Sequence, residues 1–169
     1  MLGKEIERKF LVMNLPDGLS GTTMRQGYLQ PEKERAVRIR TIEKDGSKKG
    51  ALTIKGIGNV SGMSRYEFET EIPVVDADHM LTLCDQPLIE KTRYRHDFKD
   101  LTWEIDEFHG VNEGLMVAEV ELESEDQQFE KPDFIGEEVT GQVEYYNMML
   151  LKKPYTTWQP VCEGRSVGD

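Results

Sequence analysis

The chain has 169 residues, of which 37% are hydrophobic and 31% charged, so we expect one soluble domain that buries a sizeable core. Its 32 acidic and 21 basic side chains give a net charge of −11, which argues against nucleic acid and anionic membrane surfaces as partners. Because it has no apolar run of about 18 residues and no apolar N-terminal signal core, we expect a cytoplasmic protein.

Most of the chain alternates polar and apolar residues with a period of two, which predicts β-strands. In chain order the predicted strands are 4–12, 22–30, 36–42, 51–56, 65–72, 89–96, 101–108 and 116–124, of which 22–30 has the weakest pattern. A short helix is predicted at 76–85, where the first aspartates suit the positive end of a helix dipole.

A second helix is predicted within 134–153, near the end of the domain. Its apolar residues at helical spacing are Val139, Val143, Tyr146 and Leu150. The last residues, 156–169, show little pattern, and we expect them to form a loose tail after a single domain that spans 1–155.

The polar face of the predicted strands is almost entirely charged. Glu5 and Glu7 share one strand face, Arg38 and Arg40 share another, and 116–124 carries a run of alternating glutamates. Like charges two residues apart lie about 7 Å apart and repel each other. An ordinary sheet with one solvated face is the alternative, but such a face usually mixes both signs along each strand.

The charge pattern therefore favours a barrel whose charged faces line its interior while its apolar faces pack outward against helices and loops. About eight strands enclose a narrow lumen that admits one small ligand. We expect an α+β fold built on an eight-stranded antiparallel β-barrel tunnel with a charged lumen, flanked by a few helices.

Such a lumen suits a polyphosphate. Neighbouring carboxylates on a strand provide the oxygen ligands that Mg²⁺ and Mn²⁺ prefer. Arginine and lysine clusters bind phosphate oxygens. Acids and bases in one confined site are typical of metal-dependent phosphoryl transfer, which depends on positioning and charge neutralisation.

Seven ordered segments resemble the CYTH, or triphosphate tunnel metalloenzyme, superfamily over about residues 3–155. The segments are EIERK at 5–9, VRIR at 37–40, LTIKG at 52–56, RYEFETEI at 65–72, EKTRYR at 90–95, WEIDEF at 103–108 and AEVELE at 118–123. The first of them matches the ExExK motif that opens the family's domain. The resemblance implies an eight-stranded antiparallel tunnel that binds triphosphates together with Mg²⁺ or Mn²⁺.

The resemblance also implies residue roles. The expected metal ligands are Glu5, Glu7, Glu119 and Glu121. The expected phosphate-binding bases are Lys9, Arg38, Arg40, Lys55, Lys91 and Arg93. The residues assigned to catalysis are Glu67, Glu69 and Lys91, where the two acids would hold a second metal or its water. Glu104 and Asp106 fit either as ligands or as acids that hold bases in place. Arg65 and Arg95 are expected to be structural partners of acids.

The expected function is hydrolysis of a short triphosphate, with inorganic tripolyphosphate converted to pyrophosphate and phosphate as the first choice. Three alternatives remain open: a class IV adenylyl cyclase, a thiamine triphosphatase and a noncatalytic polyphosphate-binding module. We expect a small-molecule triphosphate as the partner, without nucleic acid or membrane, and a homodimer is compatible with the sequence.

Overall fold

The computed structural model describes residues 4–32, 34–58 and 63–158, which form nine strands and two short helices. At Lys4, Glu5 and Gly58 it describes the backbone alone. The strands are β1 Lys4–Val12, β2 Gly21–Gln30, β3 Arg35–Lys44, β4 Ser47–Gly58, β5 Ser64–Ile72, β6 Ile89–Phe98, β7 Leu101–Phe108, β8 Met116–Glu121 and β9 Ile135–Glu138. The helices are α1 Val74–Leu83 and α2 Asn147–Lys152, and short 3₁₀ turns span Gly110–Asn112, Val143–Tyr145 and Tyr155–Thr157.

The first eight strands close into an antiparallel barrel. Their order is β5-β4-β3-β2-β6-β7-β8-β1, and β1 then pairs with β5 through the partners Glu5 and Arg65 to complete the ring. The other half of β1 pairs with β9, since Phe10 lies opposite Glu138. The predicted eight-stranded barrel is confirmed, including β2, whose sequence pattern is the weakest.

The helix predicted at 76–85 is confirmed with a shift of two residues. Helix α1 begins directly after Pro73 and ends before Cys84. No helix in the described ranges is both long enough and apolar enough to span a membrane.

The helix predicted from the spacing of Val139 and Leu150 is wrong over most of its length. Residues 135–138 form strand β9, Val143 begins a 3₁₀ turn, and helix α2 covers only Asn147–Lys152. Long-range pairing decides this: Arg8 on β1 donates two hydrogen bonds of 2.7 Å to the Glu138 carboxylate. The backbone N–H of Val139 also donates to the carbonyl of Lys9.

The hydrophobic core lies on both faces of the barrel wall. Helix α1 covers Ile39 and Leu52 on the outer face. Helix α2 and its neighbouring turns instead pack with Ile89 and Phe108, which lie on the same strand faces as Arg93 and Asp106, so α2 closes one end of the lumen. The expectation that the apolar strand faces pack only outward is therefore wrong at this end of the barrel.

A third cluster surrounds Trp103 on the outer face of β7. The described residues of the expected tail, 156–158, join the packing around α2, since the Trp158 ring contacts Tyr145. The domain end at 155 stays a prediction, and residues 159–169 lie outside the described ranges.

Two glycines allow α1 to lie directly on the barrel. A Cβ atom at Gly27 would come within 2.7 Å of the Cys84 Cβ atom. A Cβ atom at Gly50 would come within 2.7 Å of the Ala77 Cβ atom and 2.9 Å of the carbonyl oxygen of Ile72. Because one of these neighbours is backbone, relief at Gly50 requires a shift of the helix or the strand.

We expect Gly50→Ala to lower the free energy of unfolding by about 1–3 kcal/mol, the usual effect of overpacking a tight contact. Gly56→Ala is the control, because its Cβ would meet the Tyr66 Cβ at 3.3 Å. Urea unfolding of both variants measures the difference. Equal stabilities would contradict the proposed close contact between α1 and the barrel.

Candidate active site

The inward strand faces bring the charged residues around one cavity of about 850 Å³. The charged side chains that line it are Glu7, Arg38, Arg40, Lys55, Glu67, Glu69, Arg93, Arg95, Asp100, Glu104, Glu119, Glu121 and Glu123. A volume of this size holds a small ligand. The cavity thus contains most of the residues that the sequence assigns to a site.

A narrower lobe continues from this cavity toward α2. Lys9, Tyr28 and Tyr146 line the lobe, and Asn147 lines both spaces. Lys9 Nζ lies 3.4 Å from Glu119 and donates a 3.2 Å hydrogen bond to the carbonyl of Tyr145. The segment that begins α2 therefore lies against the base predicted to bind phosphate in β1.

Asp106 holds two of the predicted bases. It accepts hydrogen bonds from Lys91 Nζ at 2.6 Å and from Arg93 Nε at 2.7 Å. Burial alone would raise the pKa of the Asp106 carboxyl, but the charges of Arg93 and Lys91 outweigh it and place that pKa far below its ordinary value. Of the two roles left open for Asp106, this geometry favours that of holding bases in place.

Lys91 occupies a different position from the other predicted bases. Its side chain is fully buried, and it does not contribute to the lining of the cavity. Its Nζ lies 5.5 Å from the centre of the Phe108 ring, in addition to its contact with Asp106. Lys91 thus lies on the same strand face as Arg93 but beyond the end of the cavity, next to Phe108, whereas Arg93 lines the cavity.

Arg38 and Arg40 are held mainly by neutral side chains. Arg38 Nη2 donates to Thr53 Oγ1 at 3.0 Å and lies 3.4 Å from Glu69 Oε1. Arg40 Nε donates to Gln26 Oε1 at 2.7 Å. Burial, followed by the charges of Arg38 and Arg93, lowers the pKa of Arg40 to about 9. A bound anion would relieve this accumulation of positive charge.

Carboxylates accumulate on the β1–β8 side of the lumen. Glu7 lies directly opposite Glu121 in the strand register, and like charges in that arrangement destabilise a sheet. Burial, together with the charges of Glu67 and Glu104, raises the pKa of Glu121. By contrast, although burial alone would raise the pKa of Glu119, the charge of Lys9 brings it down to about 2.

These carboxylates suit a hard divalent cation in donor type and in charge. Within the described side chains, no group of three or more His, Cys, Asp or Glu residues is already spaced to hold a metal ion. The side chain of Glu5 lies outside the described part of the structure. Glu7, Glu119 and Glu121 would therefore have to converge on a shared ion from the positions they hold here.

The remaining acids and bases of the lumen form pairs. Lys55 Nζ lies 3.9 Å from Glu67, and Glu69 accepts a 2.9 Å hydrogen bond from Thr53. Glu104 lies 3.2 Å from Arg93 and 3.7 Å from the more exposed Arg95. Glu104 and Arg95 thus fit the structural pairing that the sequence allows, while Arg65 lines the narrower lobe.

Sequence reasoning did not single out Gln26, Thr53 or Asn147. Each is a neutral residue, so a search for charged alternation passes over it. Gln26 could have been found from its place on β2, where it alternates inward with Met24 and Tyr28.

Comparison with known proteins identifies the family. The family model described as CYTH domain matches residues 3–151. The chain belongs to the CYTH domain family.

Two curated relatives of this CYTH domain protein are named inorganic triphosphatase. The relative from Acetivibrio thermocellus is 47% identical over 161 residues, covering 94% of this chain and 99% of the relative. The relative from Nitrosomonas europaea is 40% identical over 150 residues, covering 86% and 95%. The crystal structure of the inorganic triphosphatase NE1496 superimposes with a TM-score of 0.62. The two sequences are 35% identical, and the match covers 92% of this chain and 99% of NE1496.

We expect Asp106→Asn to lower the free energy of unfolding by about 3–5 kcal/mol, because it removes the carboxylate that pairs with the fully buried Lys91 cation and leaves Arg93 with its longer contact to Glu104. Asp97→Asn on the same sheet is the control, because Asp97 is exposed and accepts a hydrogen bond from the neutral Thr102. Chemical denaturation compares the two variants. A loss for Asp106→Asn no larger than that for Asp97→Asn would show that the carboxylate does not hold these bases.

Proposed function

We propose that the protein is a metal-dependent triphosphatase that hydrolyses inorganic tripolyphosphate to pyrophosphate and phosphate within the barrel. The observation that carries this proposal is the division of the lumen into a cationic part around Arg40 and an acidic part around Glu121. The names and high coverage of the relatives support the same activity.

In this proposal the bases hold the phosphate chain. Arg38, Arg40 and Arg93 present guanidinium groups to the cavity, and such groups bind phosphate oxygens through paired hydrogen bonds. Lys9 and Lys55 add point charges near the acidic side. Lys91 is buried and shares the Asp106 carboxylate with Arg93. It thus offsets part of the negative charge of Asp106 without lining the cavity.

The acids form the other half of the site. Glu5, Glu7, Glu119 and Glu121 are the proposed ligands of Mg²⁺ or Mn²⁺, which when bound supplies positive charge to the phosphate oxygens. Glu67 and Glu69 would hold the attacking water or a second ion on the β5 side. Hydrolysis forms a bond from the water oxygen to the terminal phosphorus, breaks the bridging P–O bond and leaves pyrophosphate.

We expect the purified protein to release pyrophosphate and phosphate in equal amounts from tripolyphosphate when Mg²⁺ or Mn²⁺ is present. Excess chelator should abolish turnover, because the acidic part of the lumen then has no cation. Ion chromatography of the products measures both results. Full activity in chelator would contradict metal dependence, and formation of cyclic AMP from ATP would favour a cyclase.

We expect Glu7→Gln to lower turnover by about 10²-fold, consistent with about 3 kcal/mol of lost transition-state stabilisation, since the amide keeps the shape but removes a charged ligand. Glu137→Gln on β9 is the control, because Glu137 is exposed and does not line the cavity. Steady-state kinetics and melting curves of both variants are compared. A wild-type rate for a folded Glu7→Gln protein would remove Glu7 from the metal site.

A further inference from the structure

Gln26 lies fully buried on the inner face of β2, next to a cationic residue of the lumen. Its Oε1 atom accepts the hydrogen bond from Arg40 Nε at 2.7 Å. Because a guanidinium only donates, the amide oxygen must face Arg40 and the Nε2 group must face away. Nε2 has no hydrogen-bond partner among the residues that the structure describes.

An unpaired buried amide donor is unfavourable, because it has given up its hydrogen bonds to water and gained none in the fold. A glutamate in the same place would present only acceptors and would form an ion pair with Arg40. A methionine would fill similar volume with no polar atom to satisfy. The amide therefore has a property that neither replacement shares: it orients the guanidinium and leaves its charge intact.

The difference between an amide and a carboxylate at position 26 decides whether Arg40 keeps its charge. Arg38 lies 3.4 Å from the Glu69 carboxylate, and Arg93 lies 2.7 Å from that of Asp106. Within the described residues, no carboxylate forms an ion pair with Arg40, although its side chain is buried. Its charge is thus available to an anion in the cavity that it lines.

We propose that Gln26 is a positioning residue that fixes the Arg40 guanidinium in the lumen without neutralising it, so that its full charge remains for a phosphate group. This inference rests on the proposed triphosphatase function and adds a residue to that site. Gln26 does not line the cavity, so it acts through Arg40 and does not touch the substrate.

The decisive variant is Gln26→Glu, which should stabilise the fold and weaken substrate binding. The new ion pair with Arg40 should raise the melting temperature of the ligand-free protein by about 2–5 °C. The same neutralisation should raise KM for tripolyphosphate at saturating Mg²⁺ by about tenfold or more. A purely structural role for Gln26 predicts a lower melting temperature and an unchanged KM, which would overturn the inference.

Gln30→Glu is the matched control, because it makes the same charge change on the same strand at a residue that does not line the cavity. Its KM should stay within about twofold of the wild type, because the added charge is remote from Arg40. An equal rise in KM for both variants would attribute the effect to net charge and would overturn the inference.

Gln26→Met keeps the inference testable if the glutamate variant does not fold. Loss of the hydrogen bond should raise KM in the wild-type background but add nothing in an Arg40→Ala background, since Gln26 acts through Arg40. Additive effects would overturn the inference.

If the wild type turns over tripolyphosphate normally and Gln26 variants match it, only the inference fails. A wild type without tripolyphosphate turnover instead overturns the proposed function itself.

Discussion

Charges that face the inside of a closed barrel must be compensated by one another or by a ligand, because burial makes an uncompensated charge unfavourable. Closure of β1 on β5 imposes this constraint on the inward residues of eight strands. The protein meets it in part with cross-strand pairs such as Asp106 with Arg93. Among the described side chains of the lumen, the Arg40 cation and the Glu121 carboxylate are left without full compensation, and their charges have opposite signs.

A charged interior also dictates where the hydrophobic core can form. Most apolar strand residues point outward, where α1 and the segment that contains β9 cover them. At one end of the barrel the inward residues are apolar too, and α2 packs on them. Close cover needs small residues on the wall, which Gly27 and Gly50 provide under α1. Helix α1 thus stabilises the barrel from outside, whereas α2 closes one end of the lumen and leaves the rest of it to charged residues.

The strands could be predicted from the sequence because alternation is a local signal that each strand carries independently. The same signal indicated the charged lumen, since single-sign faces are unusual on a solvated sheet. The region of β9 could not be predicted this way, because Arg8 and Glu138 are far apart in the chain and pair only in the fold. Its apolar spacing resembles a helix, and long-range pairing overrides that pattern.

The roles inside the lumen were predictable only in part. Residue type indicates which side chains bind cations or phosphate, but it does not show how neighbouring strands pair. Asp106 lies directly opposite Arg93 in the β6–β7 register, and that register makes it a partner of bases. Gln26 could not be singled out in this way because it is neutral. Its Oε1 atom nevertheless accepts the hydrogen bond from Arg40.

We propose that the lumen holds a metal ion and the phosphate chain at separate positions. A crystal structure with Mn²⁺ and a nonhydrolysable triphosphate shows both positions, since anomalous scattering locates the metal independently of the ligand. We expect a manganese peak among Glu7, Glu119 and Glu121, with phosphate oxygens on Arg38 and Arg40. A triphosphate bound outside the barrel, or manganese bound away from these carboxylates, would contradict it.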